Sequence, residues 1–344
     1  MLLLKLSLLL LLTCGVVIAD PALLTAKSAK VDPAIIAAGL PVFMPDRITL
    51  DYQGLKYNPC KDVIFPSILR TEGVLRSPLG KYYLYYSPHN APGGICLAYS
   101  DSLEGPWKEY GENPILRSAW PPHYKVSHIS GPSVVYNEER GKLFCYFHGE
   151  NNTTRIASTA DGLHFDYEAV AVDTSMYRGL SEASYAHVFR YSVPGTDFRY
   201  VMMFMGNNGG TRRIYLALSR DGLTWEARKE PLLNPPAGVG QVGSPWLFPW
   251  KGKLYVVYHG DLIVPKGVGC TTNLYVSEVD PGLQQARFIG LFYDRTLLSP
   301  DNMRQSDPFL LEEEGKLYLF TAVGPRLNQK IALARAIDAL PQNP

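Results

Sequence analysis

Apolar residues along this chain come in short alternating runs, broken every few residues by glycine, proline, asparagine or aspartate. Nowhere do they keep the period of an amphipathic helix. Residues 128–149, HISGPSVVYNEERGKLFCYFHG, show the unit most plainly. A polar cluster leads into the apolar run Val134-Val135-Tyr136, and a charged turn containing Gly141 follows. An alternating run from Leu143 to Phe147 then ends in His148-Gly149. Two runs of β-branched and aromatic residues around a glycine-containing turn predict a hairpin.

That hairpin is one copy of a repeat. Its first strand opens on proline or a small residue, at Pro66, Pro132, Ala186, Pro245 and Pro308. Its second is a tyrosine-rich run behind Gly80, Gly141, Gly252 and Gly315, with FRYVMMFMGNN from Phe198 in the third copy. A third strand follows each time, and the turns at Asp161-Gly162 and Asp221-Gly222 bend it into a fourth. The copies start roughly 54–66 residues apart, which leaves room for loops between them. Five copies of a four-stranded unit predict an all-β fold, a five-bladed β-propeller. The last copy runs out after three strands near Ile337. Residues 47–57, RITLDYQGLKY, are free to supply the missing outer strand and remove an exposed edge. Residues 47–344 are read as one propeller domain and 20–46 as a loosely held N-terminal arm.

The 344 residues are 46% hydrophobic and carry a formal net charge of +1 without a long basic run, which removes electrostatic support for nucleic-acid binding. Residues 1–19 place Lys5 before an apolar stretch that ends in Val17-Ile18-Ala19. This is the pattern of a cleaved export signal, too short for a membrane span, and it predicts a secreted or periplasmic protein. Thr13 before Cys14 is a poor match to a lipoprotein signal. Of the remaining cysteines, Cys96 and Cys145 sit in strand-like runs, whereas Cys60 and Cys270 lie in loops and form the disulfide expected first. Asn151-Asn152-Thr153-Thr154 holds two overlapping glycosylation sequons.

In a propeller the starts of the first strands converge on one mouth of the central channel. The residues expected there are Asp62 with Phe65, His128 with Ser130 and Ser133, Glu182 with His187, Gln241 with Ser244, and Asp307. The ends of the second strands add His89, His148 with Glu150, Asn207, and His259 with Asp261. Carboxylates and imidazoles in one mouth suit acid–base chemistry, and they suit a hydroxyl-rich ligand, a carbohydrate. Nothing calls for a cofactor, and His128 has no second ligand at a metal-binding spacing. Structural roles stand beside these. Asp62, next to Lys61, suits a surface ion pair or turn cap equally well, and Glu182 suits a solvated loop charge. His148 and His259 suit strand ends bonded to a neighbouring blade.

Residues 78–107, PLGKYYLYYSPHNAPGGICLAYSDSLEGPW, resemble the first blade of the five-bladed glycosidase superfamily that includes glycoside hydrolase family 43. Residues 128–149 resemble the second blade of an exported branch of it. The likeness spans residues 57–337. It implies a five-bladed propeller and an exported, inverting glycoside hydrolase, with a base on the first blade, an acid on the third and a second carboxylate on the second. Phe65 stands where that base is expected, and the nearest carboxylate is Asp62. Ser133 stands where the second-blade Asp is expected. Glu182-Ala183 fits the acid, and Asp307-Pro308 repeats the Asp-Pro form in the fifth blade.

The resemblance therefore implies Asp62 as base and Glu182 as acid. His128, Ser133, His187, His259, Asp261 and Asp307 would face the sugar, with Asp307 or Asp261 as the replacement base. Ser133 in place of Asp favours a non-catalytic carbohydrate-binding propeller. Tyr258-His259-Gly260 is similar to phosphorolytic glycosidases, but the cluster of Arg and Lys needed for phosphate is not evident in the sequence.

Overall fold

Each repeat forms a four-stranded antiparallel sheet, and the five sheets are the blades of a propeller. The computed structural model describes residues 30–337. The export signal at 1–19 and the first residues of the arm lie outside the described residues. Blade 1 comprises Ile64–Arg70, Tyr82–Ser87, Cys96–Ser100 and the short Lys108–Glu109. Blade 2 comprises Ile129–Asn137, Lys142–Gly149, Thr153–Thr159 and Asp166–Asp173. Blade 3 runs through Leu180–Arg190, Tyr200–Asn208, Thr211–Ser219 and Glu226–Leu233. Blade 4 runs through Val239–Trp250, Lys253–Leu262, Thr272–Val279 and Ala286–Tyr293. Gln305–Glu313, Lys316–Val323 and Lys330–Ala336 make three strands of blade 5.

The fourth strand of blade 5 comes from the start of the chain. Phe43–Leu50 pairs antiparallel with Lys330–Ala336, from Phe43 opposite Ala336 to Leu50 opposite Ile331. The closure expected from the repeat is therefore present, but its strand begins four residues before Arg47. It also stops at Leu50, because the Asp51 carboxylate accepts from the Gln53 N–H and starts a 3-10 turn over Tyr52–Gly54. The described part of the arm is not loose. Asp32 caps the short helix Pro33–Ala37 and also accepts from the Leu291 N–H at 2.8 Å. Ile35 and Leu40 are buried in a core shared with Phe292, Leu317 and Leu319.

Apolar faces of adjacent blades meet in five large cores, and burying each large aliphatic or aromatic side chain there contributes roughly 1.5–3 kcal/mol. The Asp-Gly turns join these cores. Tyr85 of blade 1 donates its hydroxyl to the Gly162 carbonyl at 2.9 Å, and Tyr146 of blade 2 does the same to Gly222 at 2.7 Å. The four cysteines among the described residues are free. The expected Cys60–Cys270 disulfide is not formed, and the Cys60 thiol instead donates to the Asn90 carbonyl.

Every innermost strand breaks register at one shared place, and those of blades 3 and 4 break once more, between Leu180 and Glu182 and between Val239 and Gln241. The residue at the break is Phe65, Gly131, Tyr185, Ser244 or Asp307, and all five have positive φ, between 47° and 65°. Such bulges turn a side chain out of the sheet alternation, here towards the axis. For the four that are not glycine this conformation costs on the order of 1 kcal/mol or more. Because all five blades share it whatever residue is present, the bulge belongs to the fold. The residue standing there decides the chemistry.

A second ring lies behind the bulges, and three of its five members bond a bulge of the next blade. It is formed by the second-strand residues paired with the residue before each bulge, Ser87, His148, Met205, His259 and Ala322. Ser87 accepts the N–H of Gly131 from the next blade at 3.1 Å. His148 Nδ1 faces the N–H of Tyr185 at 3.5 Å, and His259 Nδ1 faces that of Asp307 at 3.5 Å. Both histidines thus bond the neighbouring blade, as the structural reading of their strand ends expects. Two residues beyond each bulge, Ser67, Ser133, His187, Trp246 and Phe309 form the next layer. Trp246 lies 4.2 Å from the Phe309 ring and 5.4 Å from that of His187.

Candidate functional site

One end of the axis opens into a polar cavity of about 360 Å³. Its wall contains the carboxylates Asp261 and Asp307, the imidazoles of His89 and His259, and the guanidiniums of Arg212, Arg304 and Arg326. Asn151, Tyr185, Asn207, Gln241 and Gln329 complete most of the wall, so nearly every side chain facing it can donate or accept a hydrogen bond.

Asp307 is the bulge residue of blade 5 and is only 3% exposed. Ser306 donates its hydroxyl to Oδ2 at 2.9 Å, while Oδ1 has no hydrogen-bond partner and lies 3.5 Å from His259 Nδ1. Burial works to raise its pKa. The imidazole of His259, the charge of Arg304 and the Ser306 hydroxyl outweigh that and hold it below the ordinary carboxylate value. Asp261 is similar. Burial is opposed by His259, Arg304 and the Thr272 hydroxyl, which donates at 2.6 Å, and the balance again keeps the carboxylate ionised.

The residues three before each bulge form the outer ring: Asp62, His128, Glu182, Gln241 and Arg304. Gln241 and Arg304 line the cavity, and the other three stand off its wall. Glu182 is bound on both oxygens by Arg212, at 2.7 and 2.9 Å, so it fixes a guanidinium that does face the cavity. His128 is half-buried and its Nδ1 bonds the Ser127 hydroxyl.

Asp62 is buried behind Gln329, whose backbone N–H donates to Oδ1 at 2.6 Å, and Oδ2 has no partner. Burial pushes its pKa up to about 6. The bond from the Gln329 N–H and the nearby His89 backbone restrain the rise, the charge of Asp307 adds to it, and Arg304 opposes it. Gln329 spans the two acids, its backbone on Asp62 and its side chain towards Asp307. Gln329 Nε2 donates to the Ser306 hydroxyl at 3.2 Å, and Ser306 donates on to Asp307.

Of the residues expected to face a ligand, His259, Asp261 and Asp307 line the cavity. Ser133 does not, because its hydroxyl accepts the Val188 N–H at 3.0 Å, just as Ser67 accepts that of Val134. Nor does His187, which packs on Trp246 and bonds the Ser244 hydroxyl. Burial lowers its pKa to about 4. Sequence reasoning missed Arg212, Arg304 and Arg326. Arg304 could have been found, since it occupies the repeat position of Asp62, Glu182 and Gln241. Arg326 sits in a loop and carries no such signal. The absence of an arginine cluster inferred from the sequence is thereby corrected. Among the described residues no cluster of His, Cys, Asp and Glu is arranged to hold a metal ion, and no helix is long and apolar enough to cross a membrane.

Solved structures share this architecture. A thermostable family-43 glycoside hydrolase is similar over 63% of this chain and 73% of its own, at 19% identity and a TM-score of 0.50. A second glycoside hydrolase matches 88% of this chain and 96% of its own, at 14% identity and a TM-score of 0.63. An exo-1,5-alpha-L-arabinanase from a bovine ruminal metagenomic library matches 82% and 97%, at 14% identity and a TM-score of 0.55. The chain has the five-bladed propeller fold of these hydrolases. No protein-family model and no curated protein matches it in sequence. At such identities the shared property is the fold, and the activity has to be argued from the cavity.

Proposed function

We propose that this chain hydrolyses glycosidic bonds in its axial cavity, with Asp307 as the base. The observation that carries the reading is Asp307 itself: a buried carboxylate on the axis, held ionised, with one oxygen unpartnered in a cavity of sugar size. The fold it shares with glycoside hydrolases supports the same reading. Asp307 accepts a proton from water as that water attacks the anomeric carbon. Glu182, two blades away, leaves Arg212 as the sugar binds, takes up a proton from solvent and then gives that proton to the leaving oxygen. Inversion follows when the two carboxyl groups stand roughly 6.5–9.5 Å apart with a water between them. Asp62 acts through Gln329 and Ser306 to position Asp307.

Purified full-length protein, incubated with plant and microbial poly- and oligosaccharides, will release reducing ends from at least one, and proton NMR will show the inverted anomer first. Binding of a glycan with no release from any would replace this reading with that of a carbohydrate-binding propeller. Residues 1–19 support action outside the cytoplasm. Mass spectrometry of the exported protein will give a chain beginning near Asp20, and a chain beginning at Met1 would remove that part of the reading.

A further inference from the structure

The wall of the cavity is not uniform. On the side formed by blades 5 and 1 it presents Arg304, Arg326, His89 and Gln329. Arg304 is largely buried, its side chain 12% exposed, yet it makes no hydrogen bond with the protein among the described residues. Its nearest carboxylate is Asp261, at 4.0 Å, and its Nε is both buried and unpartnered. A guanidinium has five N–H donors, and leaving even one unused in a buried place is costly unless something else accepts from it. Arg326 is exposed at the rim and has no ion-pair partner among the described residues. Arg304, Arg326 and His89 line the same cavity, and both guanidinium charges join burial in lowering the pKa of His89. Arg212 differs, because Glu182 already neutralises it.

The geometry points to a sugar that carries an oxyanion, a carboxylate or a sulfate ester, with that group seated between Arg304 and Arg326. Guanidinium forks bind such groups through paired, charge-assisted hydrogen bonds, which a neutral hydroxyl cannot match. Asp261 and Asp307 stand against the anion. It is therefore held at the corner of blades 5 and 1, while the reacting carbon sits over Asp307. The inference deepens the carbohydrate reading and rests on it for the sugar, but its test needs no turnover.

Calorimetry on the full chain would compare D-glucuronate and D-galacturonate with D-glucose and D-galactose, together with a glucose sulfate ester and inorganic phosphate. The expected result is at least tenfold tighter binding of a uronate or the sulfate ester than of the matching neutral sugar. Arg326→Gln, at an exposed position, will cut that preference several-fold without changing the melting temperature. Arg304→Lys, which keeps the charge and loses the fork, will cut it further. Equal binding of charged and neutral sugars, or an anion preference that survives both substitutions, overturns the inference while leaving hydrolysis of a neutral glycan standing. Tight binding of inorganic phosphate at these arginines, with phosphate-dependent sugar release, overturns it in favour of phosphorolysis. Loss of all glycan hydrolysis with the uronate preference intact would strike the proposed reaction and leave this site.

Discussion

Asp307→Asn will lower kcat by roughly 10²–10⁴-fold on whichever glycan the parent protein cleaves, the usual consequence of removing a positioned base. The amide keeps the oxygen that accepts from Ser306 and the shape that fills the bulge, so the propeller and glycan binding persist. A parallel Asp62→Asn separates two assignments. If Asp307 is the base and Asp62 a positioning residue, Asp62→Asn lowers kcat less, leaves KM close to that of the parent, and moves the pH profile. Full activity in Asp307→Asn together with a dead Asp62→Asn would return the role of base to Asp62, the assignment implied by family resemblance, and would leave the fold untouched. Glu182→Gln will also reduce kcat. It frees Arg212 as well, so its effect on KM will be larger than that of Asp307→Asn.

Asp62→Asn will stabilise the protein at pH 8 and do nothing for it at pH 4. In the folded chain the carboxyl is pushed from 3.8 up to about 6, first by burial, so between those values the folded state holds a proton that the unfolded state has released. Stability is therefore greatest below the lower value, falls as pH rises through the window, and stays reduced above it. A rise from 3.8 to about 6 corresponds to a loss of about 3 kcal/mol once both states are ionised. An amide at this position has no charge to desolvate and still accepts from Gln329. Urea unfolding at pH 4, 6 and 8 will show the gain opening across that range. An Asp62→Asn protein less stable than the parent at pH 8 would mean that the carboxylate is fully compensated where it sits.

The strands, the blades and their closure follow from the chain read on its own, because each depends on local periods: alternation within a strand, Asp-Gly turns, and a unit repeated five times with its last strand missing. The same repeat places Asp62, His128, Glu182, Gln241 and Arg304 at one level and Phe65, Gly131, Tyr185, Ser244 and Asp307 at the next. Aligning the prolines was enough to find Asp307 at a bulge position. Which members of a ring reach the cavity is a different matter. Ser133 and His187 hold equivalent places in the inner strands, yet one bonds a backbone N–H and the other packs on Trp246. Glu182 and Asp62 are turned to Arg212 and Gln329, partners far along the chain. Arg326 arrives from a loop that the repeat does not constrain, and Cys60 and Cys270, both in loops, do not meet. A strand's period fixes where a side chain starts. Its direction and partner are set by neighbouring blades and by loops packed around the axis, and those contacts exist only after the ring has closed.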